Sequence, residues 1–161
     1  MMPSPACNNS LEGKPSFAVR LHQLLSESKT IAVVGLSPKV HRASNGVAAY
    51  MQAVGYRIIP VNPREAGKML LGQYCYASLQ EAAVHHQIDI VDCFRNTDDM
   101  LPIALEAILV APRCLWMQSG LINNDAASIA EEAGMFVVMD RCLKIEHQRY
   151  LSNLCQFNES C

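Results

Sequence analysis

The sequence predicts an α/β fold: a doubly wound, mainly parallel sheet of five strands with helices on both faces, in a single domain. Two observations lead to this prediction. Short apolar runs alternate along the chain with segments of helical periodicity, and the connections between them carry glycine, proline or asparagine. Continuously apolar strands joined by helices are typical of a parallel sheet that is covered on both faces. We therefore expect a binding crevice along the carboxyl ends of the strands.

Length and composition agree with one folded domain. The chain has 161 residues, of which 50% are hydrophobic and 17% are charged, and this balance indicates a globular protein. The formal net charge of −2 argues against a general nucleic-acid binder. There is no run of about 18 apolar residues, and the first residues lack a basic start followed by an apolar segment. We therefore expect no membrane partner and a cytoplasmic location.

The two ends of the chain are predicted to lie outside the folded domain. Residues 1–15 contain three prolines, two asparagines and two serines, which is typical of a flexible tail. Residues 16–154 are predicted to form the domain, and residues 155–161 are predicted to form a frayed C-terminal tail.

The first elements set the pattern for the rest of the chain. A helix is predicted over Phe17 to Glu27 from the spacing of its apolar residues, with Ser16 as its cap. A strand over residues 31–34 follows, then a turn that opens at Gly35, then a helix over residues 43–54.

The remaining segments repeat this alternation. Asn62-Pro63 ends the second strand, because proline cannot donate to a strand ladder, and residues 64–76 are predicted to form a loop. The other strands are predicted at residues 56–61, 88–94, 113–117 and 135–139. The other helices are predicted at residues 78–84, 98–110 and 142–154, and from Asn123 or Asn124 to Glu132.

The strand, turn and helix over residues 30–55 carry the strongest functional signal. Where a strand runs through a glycine turn into a helix, unpaired backbone N–H groups and the positive end of the helix dipole converge. The turn is also rich in hydroxyl and basic residues. We therefore interpret it as a cradle for a phosphate group.

The other strand ends add donors to the same predicted edge. They supply glycine, hydroxyl, amide and arginine groups, which are the donors that bind phosphate and sugar. Lys39, Arg64 and Lys68 add local positive charge. No nucleophile with a base stands among these groups. We therefore predict no catalytic residue and favour binding without chemistry.

Two common nucleotide sites are disfavoured. A dinucleotide fold needs G-x-G-x-x-G in the first turn, and the run from Gly35 to Val40 lacks the second and third glycines. An acidic residue at the end of the second strand normally binds the adenosine ribose, and Asn62 stands there instead. These departures argue against NAD, and the P-loop pattern for ATP is also absent.

The cysteines and histidines do not indicate a metal site. None of the seven cysteines belongs to a C-x-x-C pair. Cys142 and His147 are five residues apart on a predicted helix, which separates their side chains by about 140°. We expect His147 to join Asp140, Arg141 and Glu146 in a polar cluster that holds the last helix.

Six motifs occur together in one known family. They are the turn containing Gly35, Ser37, Arg42 and Ser44; Pro60-Val-Asn-Pro63; Tyr76-x-Ser78-Leu79; Asp89-Ile-Val-Asp-x-Phe94-Arg95; Trp116-x-Gln118-x-Gly120; and Val137-Val-Met-Asp-Arg-Cys142 with Glu146-His147. Through these motifs, residues 28–151 resemble the small stand-alone CoA-binding proteins. The Rossmann-like fold of that family is similar to the CoA-binding domain of succinyl-CoA synthetase α subunits.

This resemblance implies a Rossmann-like domain that binds the ADP part of coenzyme A, or of a short acyl-CoA. The residues carried over by position are Gly35, Ser37, Arg42 and Ser44 for the phosphates, Asn62 and Pro63 for the border of the adenosine, and Phe94, Arg95 and Gln118 for the rest of the crevice. The family often has proline between the arginine and the serine of the first turn, where this chain has Ala43.

Three hypotheses remain open from the sequence. The first is a binding module for coenzyme A without chemistry of its own. The second is a nucleotide-dependent enzyme, or a CoA-ligase or transferase subunit, whose catalytic residues come from a partner. The third is a redox sensor in which Cys142 forms a mixed disulfide with CoA. The sequence also leaves open whether the protein forms a homodimer or joins a partner enzyme.

Overall fold

A parallel sheet is the frame of the molecule, which we describe from a computed structural model over residues 13–158. The strands are β1 (Thr30–Val34), β2 (Arg57–Val61), β3 (Met69–Leu70), β4 (Gln73–Tyr74), β5 (Ile90–Cys93), β6 (Cys114–Met117) and β7 (Phe136–Val138). Five of them pair in the order β2-β1-β5-β6-β7, and all four pairings are parallel. The predicted doubly wound α/β sheet is confirmed.

Helices cover both faces of this sheet. They are α1 (Phe17–Glu27), α2 (Ala43–Ala53), α3 (Leu79–His85), α4 (Met100–Val110), α5 (Asn124–Glu132) and α6 (Leu143–Asn158). Apolar side chains of α1, α2 and α6 share one buried cluster with the sheet. Those of α3, α4 and α5 share the other. The two clusters lie on opposite faces because successive residues of a strand point to opposite sides: Ile31 and Val33 belong to the first cluster, and Ala32 and Val34 to the second.

Side-chain caps explain where several helices begin. The Ser16 hydroxyl accepts a hydrogen bond from the Val19 N–H at 3.3 Å, which confirms the predicted cap of α1. Of the two candidate caps of α5, Asn123 is the one used, and it accepts from the Ala126 N–H at 3.0 Å.

The order of the strands defines the place where a ligand pocket is expected. From β1 the chain first adds β2 on one side, and later adds β5 on the other side. Connections that leave adjacent strands in opposite directions open a crevice at their carboxyl ends, and this is the usual binding position in doubly wound sheets. The switch point of this protein therefore lies between the ends of β1 and β5.

The structure differs from the sequence prediction in two segments. Within the predicted loop over residues 64–76, β3 and β4 form an antiparallel hairpin. Its turn places Leu71 and Gly72 at φ 51° and 74°, the left-handed geometry of tight two-residue hairpins, and Leu71 gave no sequence signal for such a turn. The last helix continues to Asn158, past its predicted end at Leu154, so residues 155–158 are helical rather than frayed.

The outermost residues of the predicted tails, 1–12 and 159–161, lie outside the described part of the chain, as do Cys7 and Cys161. Over residues 13–158, no helix combines the length and the apolar character needed to cross a membrane.

Candidate functional site

A pocket of about 460 Å³ opens at the switch point. We call it the switch-point pocket. Its lining consists of Gly35, Ser37, Pro38, Lys39, Arg42, Ala43, Ser44, Asn62, Arg64, Glu65, Phe94 and Arg95. These residues come from the turn between β1 and α2, from the end of β2 and from the end of β5. The volume lies within the range of small-molecule sites, about 300–1,000 Å³.

Gly35 forms the floor of this pocket, where two backbone segments nearly touch. Its φ is 88°, a conformation that favours glycine. A Cβ atom at this position would lie 2.4 Å from the Phe94 carbonyl oxygen and 2.8 Å from Cδ of Arg95. Both the conformation and the space therefore require glycine. This close approach lets the turn after β1 cross directly beside the end of β5.

Three buried polar side chains fix the path of the turn. The Ser44 hydroxyl accepts from the Ser37 N–H at 3.0 Å, and Asn45 Nδ2 donates to the Ser37 carbonyl at 3.0 Å. Asn62 Nδ2 donates to the Leu36 carbonyl, also at 3.0 Å. Buried polar groups with complete hydrogen bonds hold a single backbone geometry. The turn is therefore preorganised.

The N-terminus of α2 points its first turn at the pocket. Arg42 is the residue before the helix, and its side chain makes no capping hydrogen bond to the helix. Ala43 and Ser44, in the first turn, both line the pocket. Uncapped N–H groups and the helix dipole favour an anion at this position.

The charge of the pocket lining is predominantly positive, although the whole chain is acidic. Over the described residues, no carboxylate oxygen lies within 4 Å of the charged groups of Lys39, Arg42 or Arg64. Arg95 approaches Asp99 at 3.6 Å. The only acidic residue of the lining, Glu65, is paired with a lysine outside it, Lys68, at 2.9 Å. The pocket therefore carries uncompensated positive charge that would attract an anionic ligand.

The lining offers little for acid, base or nucleophilic chemistry. It contains no histidine and no cysteine. The hydroxyl oxygens of Ser37 and Ser44 accept hydrogen bonds from the backbone N–H groups of Lys39 and Ser37. Nucleophilic serines are normally hydrogen-bonded to a base, and over residues 13–158 neither of these hydroxyls is hydrogen-bonded to a basic side chain.

Seven of the nine predicted site residues line the switch-point pocket: Gly35, Ser37, Arg42, Ser44, Asn62, Phe94 and Arg95. Pro63 lines a smaller neighbouring pocket of about 180 Å³, which shares Gly35 and Arg95 with the first. Gln118 lines neither pocket. Ligand contact by any of these residues remains a prediction.

Gln118 instead completes a buried pair. Its Nε2 donates at 2.6 Å to Oδ1 of Asp92, a residue of the central strand β5. Asp92 is fully buried, and its other carboxyl oxygen has no hydrogen-bond partner among the described residues. Burial raises the pKa of Asp92 to about 7, although the bond from Gln118 acts in the opposite direction. Burial and the bond to Gln118 give Asp92 a structural place in the core of the sheet.

The polar residues at the start of α6 form two groups rather than one. Glu146 is ion-paired with Arg141 at 3.3 Å and with Arg149 at 3.0 Å. His147 Nδ1 lies 2.9 Å from the Tyr50 hydroxyl, which ties α6 to α2, and burial lowers the pKa of this histidine. The predicted cluster therefore exists in part, since Asp140 is used elsewhere. Its Oδ1 accepts a hydrogen bond from the Gly120 N–H at 2.7 Å.

Cys142 is not among the lining residues of the switch-point pocket. Its side chain is partly buried and packs against the cluster of α1, α2 and α6. Within residues 13–158, no group of three or more histidine, cysteine, aspartate or glutamate side chains could hold a metal ion.

Sequence reasoning missed two contributors to the site. Asn45 lies in the first turn of α2 and holds the turn before it through a hydrogen bond to the backbone. Its position near a helix start could have indicated this role, because asparagine side chains bond readily to nearby backbone groups. Glu65 lines the pocket one residue after Arg64. No pattern in the sequence indicated that this carboxylate would line the pocket.

Comparison with known proteins agrees with this geometry. Residues 29–148 match the family model described as the CoA binding domain. The chain is 41% identical over 135 residues to the uncharacterized protein YneT of Bacillus subtilis. The match covers 83% of this chain and 95% of YneT.

Two solved structures are similar over nearly their whole length. A protein from Thermus thermophilus has a TM-score of 0.80 and 36% identity, and the match covers 84% of this chain and 99% of that one. A hypothetical protein from Pyrococcus horikoshii has a TM-score of 0.79 and 33% identity, with 87% and 98% covered. The chain therefore belongs to the CoA binding domain family, as the six sequence motifs predicted.

Proposed function

We propose that this protein binds coenzyme A, or a short acyl-CoA, with the ADP part of the ligand in the switch-point pocket. One observation carries the proposal. Lys39, Arg42 and Arg64 line a preorganised pocket at the switch point, and over the described residues no carboxylate lies within 4 Å of their charged groups.

The chemistry of the ligand matches this lining. Coenzyme A carries a pyrophosphate and a ribose phosphate, so it needs several charge-assisted donors in one place. The N-terminus of α2 contributes about 0.3–1 kcal/mol for a favourable charge, whereas micromolar binding needs about −8 kcal/mol. The arginines must therefore supply much of the remainder through bidentate hydrogen bonds.

The neighbouring smaller pocket suits the less polar part of the ligand. Its lining is rich in apolar side chains, among them Val61, Pro63, Leu79 and Ile103. It adjoins the switch-point pocket because Gly35 and Arg95 belong to both linings. We therefore place the adenine on the Pro63 side and the pyrophosphate on the α2 side.

We propose binding without catalysis, since the lining lacks a nucleophile paired with a base. A calorimetric titration of the full chain with CoA, acetyl-CoA, NADP, NAD and ATP tests both parts of the proposal. We expect binding of CoA and acetyl-CoA, with weaker or no binding of the other three, and no CoA release when acetyl-CoA is incubated with the protein. Binding of NADP but not of CoA would overturn the proposal.

A further inference from the structure

The end of β2 departs from the usual way of recognising a ribose. In doubly wound folds an acidic residue at this position accepts hydrogen bonds from the ribose hydroxyls. Here the position holds Asn62, whose side chain is committed to the backbone. Its Oδ1 accepts from the Arg64 N–H at 3.0 Å and its Nδ2 donates to the Leu36 carbonyl at 3.0 Å. Asn62 is also buried, so it presents little surface to a ribose.

The next polar group along the chain is the cation Arg64. Its backbone is held by Asn62 in a short 3₁₀ turn over Pro63–Glu65, and its side chain lines the switch-point pocket. The adjacent carboxylate of Glu65 is paired with Lys68 at 2.9 Å, and over residues 13–158 no carboxylate is paired with Arg64. A guanidinium with no ion-pair partner among the described residues therefore lies two residues after the position where other doubly wound folds have a ribose-binding acid.

Arg64 is separated along the chain from the other cations of the pocket. Lys39 and Arg42 belong to the turn before α2, whereas Arg64 follows β2. A single phosphate group would use the α2 side, where the uncapped helix terminus adds to the cations. The β2 side then remains available for a second, separate anionic group.

We infer that Arg64 recognises a phosphate group on the ribose, so that the pocket selects nucleotides with a phosphorylated ribose over the same nucleotides with a free ribose. An arginine near the end of the second strand serves a ribose phosphate in the same way in NADP-binding folds, and its planar fork matches phosphate geometry. This inference rests on the proposed function, because it assumes that the adenosine end of coenzyme A lies in this pocket.

The test compares CoA with dephospho-CoA, which differs from it only by the ribose phosphate. We would titrate both ligands into the wild-type protein, the Arg64→Gln variant and the Arg57→Gln variant by calorimetry. Arg57 is a matched control because it begins the strand that Arg64 follows, so it lies at the opposite end of β2. Thermal melts of the three proteins would establish that each is folded.

We expect the wild-type protein to bind CoA about 10- to 100-fold more tightly than dephospho-CoA, the effect of one charged hydrogen-bonding group. Arg64→Gln should reduce this ratio to within about threefold of unity by weakening CoA alone, and Arg57→Gln should preserve it. Equal wild-type affinities would overturn the inference and leave the proposed function standing. A ratio that survives Arg64→Gln would also overturn it, and binding of neither ligand would overturn the proposed function as well.

Discussion

The carboxyl edge of the sheet has two halves that use their polar groups in opposite ways. The half at the ends of β1, β2 and β5, which we call the open half, directs its charge into a pocket. There Lys39, Arg42 and Arg64 line the switch-point pocket, and over the described residues no carboxylate approaches their charged groups within 4 Å.

The half at the ends of β6 and β7, the closed half, pairs its polar groups internally. Gln118 bonds to Asp92, and Arg141 is ion-paired with Glu146. Even the indole of Trp116 donates to the Arg141 carbonyl at 2.8 Å. Both halves lie on the edge where doubly wound sheets bind ligands. A polar side chain at that edge is therefore not available to a ligand by its position alone. It must also be without a hydrogen-bond or ion-pair partner inside the protein.

The largest effect on stability is expected from a substitution at Gly35, which lies in the open half. Gly35→Ala would place a Cβ 2.4 Å from the Phe94 carbonyl in a left-handed conformation, so the ends of β1 and β5 must separate. We expect a loss of at least about 4 kcal/mol in the free energy of unfolding, measured by urea denaturation.

Gly134→Ala is the matched control for this change. Gly134 has a φ of 93° but nothing within 4 Å of its Cβ position, so only the conformational cost of about 1–2 kcal/mol remains. Equal destabilisation of the two variants would contradict the close approach of Gly35 and Phe94.

Gln118 of the closed half is bonded to Asp92 on β5, and this buried pair should make stability depend on pH. The pKa of this carboxyl rises from the ordinary 3.8 to about 7 on folding, so the folded state holds a proton that the unfolded state releases between these values. Stability should therefore fall as the pH rises from about 4 to 7, and the loss should be complete above pH 7.

Asp92→Asn should remove this loss, because asparagine keeps the acceptor for Gln118 and carries no charge. We expect the variant to be about 4 kcal/mol more stable than the wild type at pH 8 and nearly unchanged at pH 4, by urea denaturation at each pH. An advantage of the same size at both pH values would show that the ionisation of Asp92 is not its cause.

A pair of arginines tests the comparison between the two halves directly. Arg42→Ala removes an unpaired cation from the open half and should weaken CoA binding about 10- to 100-fold, without a change in fold. Arg141→Ala removes a cation of the closed half that is already paired with Glu146, so CoA affinity should stay within about twofold. Calorimetry on both variants decides this point, and equal losses would remove the distinction between the halves.

The fold was predictable because its signals are local and repeated. Apolar runs such as residues 31–34 and 135–139 alternate with helical segments, and the parallel sheet follows from that alternation. The hairpin of β3 and β4 was not predictable, since Leu71 adopts a left-handed conformation that leucine rarely takes.

The pocket lining of the open half was predictable to the level of residues, whereas the internal pairing of the closed half was not. Gly35 and Arg42 lie in one continuous segment, so the turn before a helix places them together. The fate of Gln118 depended on Asp92, which lies 26 residues away on a neighbouring strand. No local sequence pattern predicts that these two side chains bond to each other, so that Gln118 does not line the pocket.

The smallest effect concerns the hydrogen bonds that shape the open half. Ser44 and Ser28 are both buried serines. The Ser44 hydroxyl accepts from the Ser37 N–H, whereas the Ser28 hydroxyl has no hydrogen-bond partner within the part of the chain that the structure describes. Ser44→Ala leaves the Ser37 N–H without its acceptor, so we expect a loss of about 1 kcal/mol in the free energy of unfolding and a few-fold loss of CoA affinity. Ser28→Ala removes a polar group that was buried without compensation, and stability should stay the same or rise slightly. Equal losses in the free energy of unfolding for Ser28→Ala and Ser44→Ala, measured in urea, would contradict a specific stabilising role for the hydrogen bond from the Ser37 N–H to Ser44.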